Sequence, residues 1–578
     1  MIEKNKSGKT WIFILYLALA VVMTWPLAKS FRRYPLFDQL DSSATIYNFW
    51  WQYYSMFDLH ISPWFNPMIN YPDGYSMVLF PLYLSYGIFS WPLQAVFGTP
   101  QAIPGFFNWI SILSFALSGF LGFLLFEQIT GSRRAGLVSG ILFSFIPFHY
   151  WHLPRCHTSC LELFLLPIYF YFRLLEKRGV KPGVYFGLAL VPIIYQSPNY
   201  VIYLTMFFGL HFIYSLILSR SLLDRAWWKG IAAAVVTAAV LGGPLLYEIG
   251  KEMANKTMPA TSTLQEQNLY SANLLGFVIP GPNQTIYKPL AELGGKAVIP
   301  IGSSGKEIFP GYLLLLCAVF GIFLARKHIR QYGFWILALV SFMVLSLGPY
   351  LNAASKTFYQ IPPPYFFLRK VFPFFEIDRS PVRVVIFGLL ALAVFSAGFF
   401  KWLEQKLTGK KVGLVFIAIA SLAVIELNQA PIKVERVELP ELYQKIAAEP
   451  GPFTILELPL LPDIYRLSGF FQPGHKKNLA ISLTARKIGV GAGDDPLFSY
   501  LDEPLRFFNL APETQERVKN QMKVELRRRE IKYVIVFLRF VDDDKKGQIE
   551  RLAGMLSPVK SFDSSGIFRV YQFDHREK

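Results

Sequence analysis

The strongest constraint in this 578-residue chain is a series of apolar windows, each about long enough to cross a bilayer, separated by polar connections. A spanning helix needs about 20 predominantly apolar residues, with a range of roughly 17 to 25. Windows of this kind lie near residues 10–28, 104–126, 135–151, 160–176, 183–198, 200–219, 229–248, 309–325, 333–351, 383–402 and 412–428, eleven in all. Another apolar segment, 75–97, is interrupted by Pro81 and Pro92 and reads as re-entrant or interfacial. Composition agrees: the chain is 53% hydrophobic and only 17% charged, too little charge to cover a soluble fold of this size.

The formal net charge of +18 raises the question of nucleic acid, and its distribution answers it. From Ala430 to the end there are 24 Lys/Arg against 21 Asp/Glu, so nearly all the excess lies in the apolar N-terminal part. Basic residues between hydrophobic spans mark cytoplasmic connections. With the N-terminus inside, those connections carry Lys4, Lys6 and Lys9; Arg133 and Arg134; Lys177, Arg178 and Lys181; Arg220, Arg225 and Lys229; Arg326, Lys327 and Arg330; and Lys401, Lys406, Lys410 and Lys411. The short outer connection 152–159 holds only Arg155, and the main exception is Lys29, Arg32 and Arg33. The first window reads as an uncleaved anchor, because it is long for a signal peptide and ends in the poor cleavage sequence "WPLAKS". An integral plasma (inner) membrane protein is expected, with no nucleic-acid partner.

This topology puts residues 29–103, 249–308, 352–382 and everything after about 430 on the extracytoplasmic side. The expected fold is an all-α polytopic membrane domain over 1–429 followed by a small extracytoplasmic α/β domain over 430–578. In the latter, "FTILELPL" and "IKYVIVFL" read as buried strands and "GIFRVYQF" as an alternating one. "PETQERVKNQMKVELRRRE" reads as an amphipathic helix opening at Pro512. Three cysteines exclude a disulfide framework; Cys317 lies in an apolar window, and the Cys156/Cys160 spacing matches no zinc motif. No cofactor is expected, and a divalent metal has no support in these residues.

Ionisable groups are scarce inside the windows: His211 sits near the middle of one, and Glu162, Glu248 and Glu426 lie near outer ends. Ion-coupled transporters keep such groups near the midplane. Polar residues gather instead on the outer side, beginning with "FDQLDSSATIYNFWW", where Asp38 and Asp41 precede Trp50 and Trp51. Further along come "NPMINYPDGY", "PFHYWHLPRCHTSCLELFLL", "GKEIFPGYLLLL" and "FPFFEIDRSPVRVVIFGLL". Taken in this order, the stretches resemble the GT-C superfamily of membrane glycosyltransferases, especially bacterial members with a C-terminal extracytoplasmic domain. The resemblance covers the architecture of about residues 1–430 and rests on the ordered set.

The resemblance implies a transferase that uses a polyprenyl-phosphate-linked sugar at the outer membrane face, with a glycan, lipid or protein as acceptor. An acid of the first outer loop would take the acceptor hydroxyl's proton as the new bond forms. By position Asp41 is the first candidate and Asp38 the second; both can equally be solvated loop acids. Members often carry a tight acidic pair here, whereas these two are three residues apart. The departing phosphate calls for cationic groups. Arg379 and Arg383, at i and i+4 around Pro381, would share one face of a helix start. His152, Arg155 and His157 could complete that site. Glu307 and the aromatic Trp50 and Trp51 are candidate substrate-loop contacts; Trp and Tyr also populate interfacial belts. Asp73 in "YPDGY" reads as a turn residue. The competing functions are a transporter or flippase of lipid-linked glycans and a non-catalytic envelope-assembly protein.

Overall fold

A computed structural model of the chain describes residues 2–31, 34–35, 41–78, 82–218, 224–255, 261–281, 284–290, 292, 307–435, 438–481 and 496–574. Each apolar window overlaps a helix without matching its bounds, from Ile2–Met23 to Lys410–Leu427. Among the described residues, five are long and apolar enough to cross a membrane: Ala102–Thr130, Cys156–Lys177, Pro198–Leu218, Arg225–Ala254 and Pro381–Lys406. The window 135–151 is not continuous. Its helix runs Arg133–Ser144, and a separate short helix, Pro147–Trp151, follows. The break has a local cause: Pro147 forbids helical backbone at Ile146, which is extended at φ −58° and ψ 147°.

The chain divides into two compact units, one of residues 1–37, 105–247 and 261–435, the other of 38–104, 248–260 and 436–578. In the first, the helix Val385–Lys406 is the centre: 83% of its apolar window is buried, against 22% for Pro198–Leu218 and for Arg225–Ala254. It packs on Tyr312–Ala325, Ile329–Ser346 and Arg133–Ser144. Gly321 lies so close to the Phe395 backbone that a Cβ would collide with it. Glu426 has a structural use invisible in the sequence. Its carboxylate accepts the Tyr312 amide at 2.6 Å, the Leu313 amide at 3.1 Å and the Tyr287 hydroxyl at 3.0 Å. It thus satisfies donors that the start of the Tyr312 helix leaves unpaired.

The second unit holds a five-stranded sheet of β1 (Thr454–Leu458), β2 (Asn478–Leu479), β3 (Ile531–Phe537), β4 (Lys560–Ser564) and β5 (Phe568–Gln572), in the order β4-β5-β3-β1-β2. β1 runs parallel to β2 and β3, while β5 is antiparallel to β3 and to β4. β1 is buried at every position, as expected of a parallel strand covered on both faces. The helix Pro512–Arg528 turns Val518, Met522 and Leu526 into this core. Residues 38–104 cluster with this sheet, a division different from the one expected at residue 430. The physical reason is a set of direct contacts. The Leu479 amide donates to the Met68 carbonyl and the Tyr71 amide to that of Leu479, so this segment runs along the β2 edge. Asp73 does sit in a turn closed on the Asn70 carbonyl, and it also pairs with Arg528 at 3.3 Å.

Two features of this unit bear on its surroundings. The helix Leu84–Phe97 buries Gly87, Ser90 and Gln94 while Phe89, Val96 and Phe97 are 64%, 74% and 63% exposed. At 1.5 Å per residue its 14 residues reach about 21 Å, short of the roughly 30 Å hydrocarbon core, so it does not cross alone. Its inverted polarity suits contact with lipid. Inside the unit, Glu457 on β1 accepts hydrogen bonds from Tyr443 and Ser468, and His475 stacks on Tyr443.

Burial pushes the Glu457 carboxyl up to about 7 and the His475 imidazole down to about 3. Their effects oppose one another. Between pH 4.5 and 7 the folded state binds the Glu457 proton and the unfolded state does not, so that stability falls as pH rises. Below pH 6.5 the unfolded state protonates His475 and the folded state does not, so that stability falls as pH drops. Glu457→Gln should therefore leave the His475 effect alone: the Tm of the full chain is expected to climb steeply from pH 4.5 to 6.5, where the wild type stays comparatively flat.

Candidate phosphate-binding site

The break at Pro147 decides where the basic residues of the third window fall. His152 follows the short helix Pro147–Trp151, Arg155 precedes the turn Cys156–Ser159, and His157 lies on that turn. Arg383 comes from the other side of the sequence, on the single 3-10 turn Pro381–Val384 that opens the central helix. The four converge: the charges of Arg155, Arg383 and His157 all act on His152. His152 and Arg155 are buried, at 2% and 7% exposure, and His157 and Arg383 are half-buried. The His152 Nδ1 donates to the Phe148 carbonyl at 2.8 Å. Burial, together with the neighbouring positive charges, holds this imidazole well below the ordinary histidine range, so at neutral pH His152 adds no charge of its own to the cluster.

The Arg383 backbone amide donates to the Ser380 carbonyl at 3.1 Å, but its guanidinium makes no hydrogen bond or ion pair with a protein group among the described residues. A half-buried guanidinium with no protein partner has donors left to offer an anion. Its mounting is rigid. Asp378 is buried at 2% exposure, accepts the Tyr203 hydroxyl at 2.5 Å, and receives the Ser380 amide at 3.3 Å. Gln267 donates to the carbonyls of Phe375 and Asp378 at 2.6 and 2.8 Å, fixing the segment that leads into the 3-10 turn. Arg383 also lies within electrostatic reach of Tyr200 and Tyr203. The arrangement can hold an anionic oxygen group against one free guanidinium, beside the neutral imidazole of His152 and the buried Arg155.

Residues 12–428 match the model of a family described as "Domain of unknown function (DUF6311)". The chain belongs to this family. No curated protein sequence matches it. Among solved structures, the oligosaccharyltransferase of Archaeoglobus fulgidus in its apo form is similar, with TM-score 0.51 and 12% identity over 98% of this chain and 75% of that one. The arabinofuranosyltransferase AftD from Mycobacteria gives TM-score 0.57 and 12% identity over 99% of this chain and 40% of that one. At such identities the likeness is one of fold alone, shared with these two transferases.

In this DUF6311 member Arg379 and Arg383 do not share a helix face, contrary to the expectation from their spacing, because Pro381 starts a 3-10 turn between them. Arg379 is already engaged: it pairs with Glu266 at 2.7 Å, donates to the Tyr270 hydroxyl at 3.0 Å and lies 4.7 Å above that ring. Trp50 and Trp51 are neither an interfacial belt nor an open stacking platform. Both are buried, at 1% and 0% exposure; Trp50 stacks on Tyr54 at 5.0 Å and Trp51 donates to the Pro63 carbonyl at 3.0 Å. Glu307 is buried against Gly281. Asp41 opens the helix Asp41–Tyr53, but its side chain and all of Asp38 lie outside the described residues. Among the described residues, no group of three or more His, Cys, Asp or Glu could hold a metal ion. Sequence reasoning missed Asp378 and Tyr203. The signal for Asp378 was present, as an acid directly beside Arg379 at the start of a span.

Proposed function

We propose that this protein is a membrane glycosyltransferase that moves a sugar from a polyprenyl-phosphate-linked donor to an acceptor hydroxyl at the extracytoplasmic face. The observation that carries the reading is the unpartnered, half-buried Arg383 beside His152, Arg155 and His157, within a fold shared with two glycosyltransferases. The positive-inside pattern assigns the 152–157 connection and the start of the Pro381–Lys406 segment to the outer side of an eleven-span domain. In the reaction the acceptor oxygen bonds to the anomeric carbon, and the bond from that carbon to the phosphate oxygen breaks. Asp41 takes the acceptor proton. Polyprenyl phosphate leaves with an added negative charge, which Arg383 and Arg155 are placed to stabilise. Asp38 and Glu307 are the further acids of this reading, and Arg379 supports the segment that carries Arg383.

A flippase of lipid-linked glycans would need the same headgroup contacts and no bond cleavage. The purified full chain in proteoliposomes, supplied with short-chain polyprenyl-phosphate sugars, separates the two. Release of free polyprenyl phosphate together with a new glycosidic bond is the expected result. Movement of the intact donor between leaflets with no bond formed would overturn the transferase reading.

A further inference from the structure

A buried polar node lies next to the basic cluster and takes no direct part in it. Ser114, on the helix Thr99–Thr130, has its Oγ 2.6 Å from Glu162 Oε2, 3.1 Å from His149 Nε2 and 2.9 Å from the Ser159 carbonyl oxygen. The Ser118 hydroxyl reaches the same Glu162 oxygen at 3.5 Å. Exposure is 3% for Ser114, 0% for His149 and 3% for Glu162. His149 stacks on Phe115 at 3.8 Å, and Phe115 packs in turn against Phe145 and Tyr150. The Cys160 thiol also lies within electrostatic reach of Glu162, with Cys156 beside it, and Arg155 and His157 lie on the same segment.

Counting protons around Ser114 constrains this node. His149 Nδ1 faces the Ser144 carbonyl at 2.8 Å, a pure acceptor, so Nδ1 carries a hydrogen. With His149 neutral and Glu162 ionised, Ser114 has one hydroxyl proton for three acceptors, and two of them face its oxygen at close range with no hydrogen between. One more proton leaves only the Ser159 carbonyl without a hydrogen from Ser114, in either of two ways. Placed on Glu162, it is donated to Ser114 Oγ, and the Ser114 proton goes on to His149 Nε2. Placed on His149 Nε2, it is donated to Ser114, and the Ser114 proton goes to Glu162. The two forms interconvert as Glu162 passes a proton to Ser114 while Ser114 passes its own to His149.

The same serine ties the two ends of the basic segment. His149 precedes His152, Arg155 and His157, while Ser159 and Glu162 follow them. The middle is held by Gln196, which donates to the Cys156 carbonyl at 3.3 Å, and by Tyr200, which donates to that of Thr158 at 2.9 Å. We propose that Ser114, His149 and Glu162 are positioning residues that share one proton and thereby hold segment 147–162 in the geometry that receives the donor phosphate. This rests on the reading of the basic cluster as the phosphate site. Loss of the shared proton leaves two of the three contacts without a hydrogen and loosens the segment.

The test uses the full chain in detergent, with a short-chain polyprenyl phosphate as probe, and follows both affinity and Tm from about pH 6 to about pH 10. Wild-type affinity and Tm are expected to fall together as pH rises. Glu162→Gln supplies an amide donor to Ser114 that does not titrate, and both curves should become flat. Ser114→Ala should bind at least about 10-fold more weakly at every pH. If Glu162→Gln keeps the wild-type pH dependence of Tm, the shared proton is refuted. If the Tm curves separate but no variant binds the lipid phosphate, the phosphate reading falls and the positioning role with it, while the shared proton stands.

Discussion

Arg383→Ala is expected to reduce kcat/KM for the lipid-linked donor by about 100-fold and to weaken binding of polyprenyl phosphate in parallel. The magnitude follows from the loss of charge-assisted hydrogen bonds in a partly desolvated place, about 2 to 3 kcal/mol. Stability should not suffer, because the Arg383 side chain contributes no hydrogen bond or ion pair to the described fold, and its backbone bond to Ser380 survives the change. Removing an unpartnered charge should leave Tm unchanged or raise it. Arg383→Lys keeps the charge and loses the planar fork, so an intermediate value is expected. Arg379→Ala should behave in the opposite sense. It strips Glu266 of its partner and Tyr270 of its cation, lowering Tm, while donor affinity changes by less than about 10-fold. Calorimetric titration of the variants with polyprenyl phosphate decides the matter. Wild-type affinity in a folded Arg383→Ala protein would remove this cluster from the donor site.

The two arginines also show where the sequence is readable and where it stops. The apolar windows are legible because a bilayer demands about 20 apolar residues in a row, a constraint written locally. β1 and β3 are legible as short, mainly apolar runs, each carrying a single charged residue, Glu457 in β1 and Lys532 in β3. Spacing arguments fail where the local backbone departs from one regular helix. Arg379 and Arg383 would share a face only if Pro381 continued a helix, and the turn at 381–384 separates them. Counter-ions are equally hidden: Glu266 is far from Arg379 in sequence, and nothing local distinguishes it from any other loop acid. Trp50 and Trp51 show the same limit for aromatics, since belt, platform and core residues look alike until their neighbours are known. The Ser114–His149–Glu162 node left a fainter trace, because each member is a polar residue within or beside an apolar window.

Asp41→Asn carries the largest expected effect on chemistry itself. A sugar or protein hydroxyl is a weak nucleophile, and a positioned carboxylate that takes its proton contributes about 100- to 10,000-fold. Asparagine keeps the size and hydrogen-bonding shape of aspartate and cannot accept that proton. As the first residue of the helix Asp41–Tyr53, Asp41 also sits where an acid favours the helix dipole, an effect of about 0.3 to 1 kcal/mol. Asparagine is itself a good residue at such a start, so the fold should survive the change. The expected result is a fall in kcat within that range, with KM for the donor and affinity for polyprenyl phosphate nearly unchanged. Asp38→Asn should cost much less, since Asp38 is the second candidate for the same role. The pattern matters as much as the size: Arg383→Ala should impair donor binding and turnover together, whereas Asp41→Asn should impair turnover alone. A fully active Asp41→Asn enzyme would transfer the role of base to another acid, with Asp38 the next to replace. If both asparagine variants turn over normally, the acceptor is deprotonated by a group outside the first outer loop, and the link between that loop and the chemistry is broken.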